Sequence, residues 1–264
     1  MGTLKKQHYI WVIAIFLINF AFYVIRPGNE TVIFISSHIF TNLCALIAVL
    51  SLFRAFSAFK ILDLTKAAWL MLLIGVFFYL LGELAYSFYE VLRKLAIPFP
   101  SIADGFRLAS YVFLFAVVIY LIRGFRKAGI PIGAWTEFLS ITLLLGSIFY
   151  FLSIDLFAPI MASPVFSAYK KFLYIAYPLA DLTLIFLILI LMQFTALFGQ
   201  GIFYDPWRYI LAGFIAIAVG NILFAYYTWH NLYAIGSYID LFPNLGYLLI
   251  ALGAMSQKNL IRKP

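Results

Sequence analysis

Residues 67–90 read AAWLMLLIGVFFYLLGELAYSFYE. An α-helix needs about 20 predominantly apolar residues to cross the hydrocarbon of a bilayer. This stretch supplies them, with two acids, Glu83 in its second half and Glu90 at its end. Working outward, seven further stretches have the same character. The eight run roughly 8–26, 31–54, 66–93, 101–123, 134–155, 165–196, 206–230 and 239–256. The connections are too short to fold as separate domains. The expected fold class is therefore an all-α polytopic membrane protein with eight transmembrane helices, residues 1–264 forming one membrane domain.

Composition agrees. The chain is 66% hydrophobic and 11% charged, with a mean hydropathy of +1.05. A soluble domain is about half apolar and a quarter charged, so this much charge cannot cover a water-facing surface. Lys5 and Lys6 precede an apolar run from Tyr9 to Ile25. That run is too long for a secretory leader and lacks a small-residue cleavage site, so it reads as the first membrane helix.

The net charge of +8 comes from short basic runs between apolar segments. This is the pattern of cytoplasmic loops and not of a nucleic-acid surface; no nucleic-acid partner is expected. Lys5, Lys6, Arg54, Lys60, Lys66, Arg123, Arg126, Lys127, Arg208, Lys258, Arg262 and Lys263 fall on one side. Arg26, Arg93, Lys94, Arg107, Lys170 and Lys171 fall on the other. The bias places both termini in the cytoplasm, with the plasma membrane as the expected location. Cys44 stands alone inside an apolar segment, which excludes a disulfide framework and reads as a small buried hydrophobe.

The 67–90 stretch has an echo. Trp69 precedes Gly82–Glu83 by the same interval that separates Trp207 from Gly220–Asn221. Ser101-x-x-Asp104 leads to Tyr111 as Ser237-x-x-Asp240 leads to Tyr247. His38-x-x-x-Asn42-Leu43 matches Tyr177-x-x-x-Asp181-Leu182. Phe22–Tyr23 and Phe149–Tyr150 add a weaker match. These landmarks point to two four-helix repeats, about 1–127 and 128–264. Four spans is an even number, so the repeats are parallel and related about the membrane normal.

Ionisable groups in hydrocarbon are costly and need a partner or a task. Asp181 lies mid-segment and Glu83 in the outer half of its segment; their repeat mates are Asn42 and Asn221, respectively. With Tyr86 and Tyr177 beside them, these form the candidate ligand-binding set, expected to face inward along the seam between the repeats. A proton or cation relay, a headgroup anchor and a plain hydrogen-bond clamp are all open readings. Asp104 and Asp240 each sit fourth in a Ser-x-x-Asp box, which suits helix capping. Alternatively they line an outer mouth with Glu90 and His230. Ala212, Ala216 and Gly220 form a small-residue stripe for close helix packing, and Pro178 should loosen the helix beside Asp181.

No cofactor is expected. The histidines His8, His38 and His230 form no His-x-x-x-His or Glu-x-x-His pair. Zinc enters only if His38, His230, Asp104 and Asp240 converge.

The stretch Gly82-Glu-Leu-Ala-Tyr-Ser-Phe-Tyr-Glu90, followed by Pro98-Phe-Pro-Ser-Ile-Ala-Asp104 and Tyr111, resembles the N-terminal membrane region of bacterial and archaeal diguanylate cyclase, phosphodiesterase and kinase signalling proteins. Tyr177-Pro-Leu-Ala-Asp181-Leu and Gly236-Ser-Tyr-Ile-Asp240 with Gly246–Tyr247 resemble further signatures of that region. The resemblance implies a sensory membrane domain whose last helix ends in the cytoplasm. With no output domain after Pro264, it also implies a separate cytoplasmic signalling partner. Glu83 departs from the shorter acid expected there.

Four functions compete. A sensory or ligand-binding module would hold a small apolar or lipid-like molecule between the halves, amid membrane lipid. A proton- or cation-coupled secondary transporter would lose uptake in Asp181→Asn. A lipid-modifying hydrolase would gather the His and Asp quartet. A structural protein would pair every buried acid.

Overall fold

The computed structural model describes residues 4, 6–60, 64–93, 100–130, 133–196, 204–233 and 236–262. Every regular element among them is helical. The order is α1 (Lys6–Ile25), α2 (Glu30–Phe56), α3 (Leu64–Ser87), α4 (Ile102–Lys127), α5 (Trp135–Leu152), α6 (Ala158–Ala162), α7 (Ala168–Ala196), α8 (Tyr204–Trp229) and α9 (Leu241–Arg262). A wide turn, Phe88–Leu92, prolongs α3, and a second, Ser153–Phe157, joins α5 to the short α6. Among the described residues, eight helical stretches are long and apolar enough to cross a membrane.

Capping chemistry sets the helix starts. The Asn29 side chain accepts from the Val32 amide at 3.0 Å and opens α2. Ser101 opens α4 through a complete capping box: its hydroxyl accepts from Ala103, and Asp104 accepts the Ser101 amide at 2.6 Å. The second Ser-x-x-Asp box behaves differently. Ser237 accepts from the Ile239 amide, but Asp240 ends a single tight turn, Tyr238–Asp240, and its carboxylate turns into the bundle. Capping therefore accounts for part of Asp104 and little of Asp240.

Helices also outrun the apolar segments read from sequence. The eighth, expected to stop near 256, continues as α9 to Arg262. Hydropathy finds the part matched to hydrocarbon, whereas the backbone ladder continues wherever its own bonds are kept.

Six helices form the centre. α3 packs on α4 and α8 on α9; α2 packs on α3 and α7 on α8; α2 also meets α9, and α4 meets α7. α1 lies against α9 and α5 against α7, both at the periphery. Their outer faces carry exposed apolar side chains, among them Trp11, Leu17 and Ile18 on α1 and Trp135, Leu139 and Leu143 on α5. Such faces suit lipid and would be an aggregation liability in water. Deep in the core the Trp69 and Trp207 rings meet at 5.8 Å, and Tyr79 lies within 6.4 Å of both Tyr111 and Tyr247.

The tight α8–α9 face differs from the stripe expected at Ala212, Ala216 and Gly220. Ala212 is exposed. The closest approach instead runs through Gly213 and Gly246: a Cβ on Gly213 would fall 2.7 Å from the Gly246 carbonyl oxygen. Gly220 does belong to this face, against Pro243. The face turns about 100° per residue, so a one-residue shift in the stripe changes the neighbour.

Candidate functional site

Helix direction brings the starts of α2, α4 and α9 and the ends of α3 and α8 to one end of the bundle. The polar landmarks gather there. Four carboxylates form the framework, and each takes at least one bond from its own half of the chain and one from the other.

Asp181, on α7, accepts from Asn221 on α8 at 3.0 Å and from Tyr111 on α4 at 2.7 Å. Glu83 accepts from Arg107 on α4 at 3.2 Å and from Tyr247 on α9 at 3.3 Å. Asp104 holds its cap and accepts from Tyr177 at 2.7 Å. Asp240 accepts from Tyr233 at 3.0 Å and from Ser37 at 3.3 Å. The Tyr233 hydroxyl lies in the loop before α9. Burial first, then the Asp240 charge, hold its pKa above the ordinary tyrosine value, so it stays a donor.

A second cluster lies on α2 and α3. His38 stands between Ser87 at 3.1 Å and Glu90 at 3.2 Å. Asn42 donates to Ser87 at 2.6 Å and to the His38 carbonyl. Asn42 thus supports the His38 cluster, while Asp181, the residue at the matching place in the sequence echo, bonds to Asn221.

Two adjoining cavities open among these groups. The larger, about 530 Å³, is walled by Glu83, Glu90, Asp240, His38, Arg107 and Asn221, with Phe34, Tyr86, Phe224 and Tyr233 as aromatic faces. The smaller, about 180 Å³, lies among Tyr79, Tyr111, Tyr174, Tyr177, Pro178 and Asp104. Tyr86, Arg107, Asn221, Phe224 and Thr228 line both. Arg107 also lies over the Tyr86 ring at 5.7 Å.

Of the ten candidate residues, Glu83, Tyr86, Asn221, Glu90 and Asp240 line the larger cavity. Asp104 and Tyr177 line the smaller one. Asp181 is buried beneath them and reaches the site through Asn221 and Tyr111. Asn42 lines neither cavity. His230 is exposed just past the end of α8, its ring tilted against Tyr226 at 4.4 Å, and joins neither wall. The quartet His38, His230, Asp104 and Asp240 therefore does not share one cavity. Among the described residues, no three His, Cys, Asp or Glu side chains form a group able to hold a metal ion.

Arg107 is the residue whose role the sequence left unassigned. It counts there only as an outer-side charge at the start of the fourth segment; in the second turn of α4 it pairs with Glu83. It follows Asp104 by three residues and precedes Tyr111 by four, one helix face by spacing. That spacing is the signal that could have found it. Glu83, read as a lone acid, is therefore an ion-paired one. Ser37 and Tyr233 carry no such pattern and emerge only from the packing.

Among the described residues the fold is an all-helical bundle in which eight helical stretches are long and apolar enough to cross a membrane. No family model, curated protein or solved structure matches the chain.

Proposed function

We propose that this chain is a multi-pass plasma-membrane protein acting as a sensory or ligand-binding module, which takes a small or lipid-like molecule between two halves. The observation that carries this reading is the cavity of about 530 Å³ between the halves. Its size suits a small-molecule site, and it combines aromatic walls with a few convergent polar groups. His38, Glu90 and Asp240 would exchange hydrogen bonds with the polar part of the ligand. The adjoining tyrosine-walled chamber would take an apolar part.

Membrane insertion is supported by the exposed apolar faces of α1 and α5. The charge bias supports cytoplasmic termini. Two related halves are supported by the Trp69–Trp207 contact between equivalent positions. They are also supported by the matched packing of α3 on α4 and α8 on α9, α2 on α3 and α7 on α8.

Native mass spectrometry of the purified full chain tests the reading. A retained small molecule or lipid that is lost in Asp240→Asn and Glu90→Gln is expected. A wild-type chain that retains nothing specific, or variants that retain it fully, would overturn it. Uptake into proteoliposomes abolished by Asp181→Asn would replace it with the transporter.

A further inference from the structure

At the opposite end of the bundle a separate pocket of about 190 Å³ is lined by His8, Ser51, Arg54, Met255, Lys258 and Asn259. Three helices build it. His8 comes from α1. Ser51 and Arg54, three residues apart, share a face of α2. Met255, Lys258 and Asn259 share a face of α9. Among the described residues the lining holds two permanent cations, a histidine, a hydroxyl and a carboxamide, and no acid.

A simpler account makes these cations orientation signals, which need only lie beyond the lipid. Arg123, Arg126 and Lys127 fit that account: they are exposed at the end of α4. Arg54 is exposed as well and Lys258 half-buried, but they differ in that α2 packs on α9 and brings the two to one concavity. Arg54 makes no hydrogen bond or ion pair among the described residues, so its five donors are available. A planar guanidinium matches phosphate oxygens in pairs, and a lysine adds a point charge. Basic pockets between membrane helices on the cytoplasmic side suit phosphate-bearing headgroups.

We propose that the pocket between α1, α2 and α9 binds a phosphate group, carried by an anionic lipid or by a free phosphate compound. This site stands independently of the carboxylate-lined cavity. The purified full chain is titrated with phosphatidylglycerol and with phosphatidylcholine and followed by native mass spectrometry. In a second arm, inorganic phosphate is added and thermal unfolding is recorded. Two double variants of equal charge change are compared, Arg54→Gln with Lys258→Gln, and Arg123→Gln with Lys127→Gln.

Preferential phosphatidylglycerol binding that weakens about thirtyfold in the first double variant and holds in the second supports a lipid source. Protection by inorganic phosphate that disappears in the first double variant supports a free phosphate source. Arg54→Lys should keep most of either response, which separates lost charge from a damaged fold. Equal losses in both double variants, or no response of the wild-type chain to either probe, would overturn the site.

Discussion

The Tyr111 hydroxyl donates to Asp181 over 2.7 Å and joins α4 to α7 across the middle of the molecule. Both residues are buried, Tyr111 at 4% exposure and Asp181 at 2%. Neither can turn to water if the other is removed. Tyr111→Phe should therefore lower stability by about 1–2 kcal/mol, the range for an interhelical hydrogen bond within a membrane bundle. Unfolding in mixed micelles measures it; an unchanged midpoint would show that another donor replaces the hydroxyl.

Glu83 and Arg107 make a partly buried pair. Removing one member strands the other, which is costlier than removing both. Glu83→Gln should cost about 2–3 kcal/mol, below the fully buried range because the pair retains some exposure. The double variant Glu83→Gln with Arg107→Gln should be more stable than the sum of the single changes implies. A double-mutant cycle reads this directly, and simple additivity would contradict the pairing.

Gly213 faces the Gly246 carbonyl so closely that no side chain fits without moving backbone. Gly213→Ala should destabilise the bundle by about 1–3 kcal/mol through overpacking. Ala212→Leu, one residue away on an exposed position, should leave the unfolding midpoint nearly unchanged. Equal effects at both positions would mean that α8 meets α9 through a different face.

Cys44 is wholly buried. A membrane-permeant maleimide should leave the native protein unlabelled and modify it upon unfolding. Labelling at the same rate in both states would place Cys44 at the surface.

Much of the architecture is legible in sequence because a membrane span requires a long apolar run and little else competes to explain one. The stretch around Glu83 and the paired Trp, Gly and Ser-x-x-Asp landmarks locate the polar end for the same reason: polar residues are conspicuous against an apolar background. Partner choice is less visible. Arg107 counts in sequence as one more outer-side charge, because nothing local shows that Glu83, on the preceding helix, is its partner. Ser37 reaches Asp240 because α2 packs on α9, a contact between the second and last long helices that no local pattern records. His230 looks equivalent to other outer polar residues, yet the rotation of the last turn of α8 leaves it outside the walls.

The kinds of donor around the four acids have a mechanical consequence. Glu83 finds its cation, Arg107, in its own half, and nearby Glu90, a fifth acid, meets the His38 ring within the same half. The links that cross to the opposite half come from hydroxyls: Tyr111, Tyr177, Tyr247 and Ser37. At the acids, prising the halves apart would thus release uncharged latches that water or a guest can replace, while the Glu83–Arg107 ion pair and the His38–Glu90 contact travel intact with their own side.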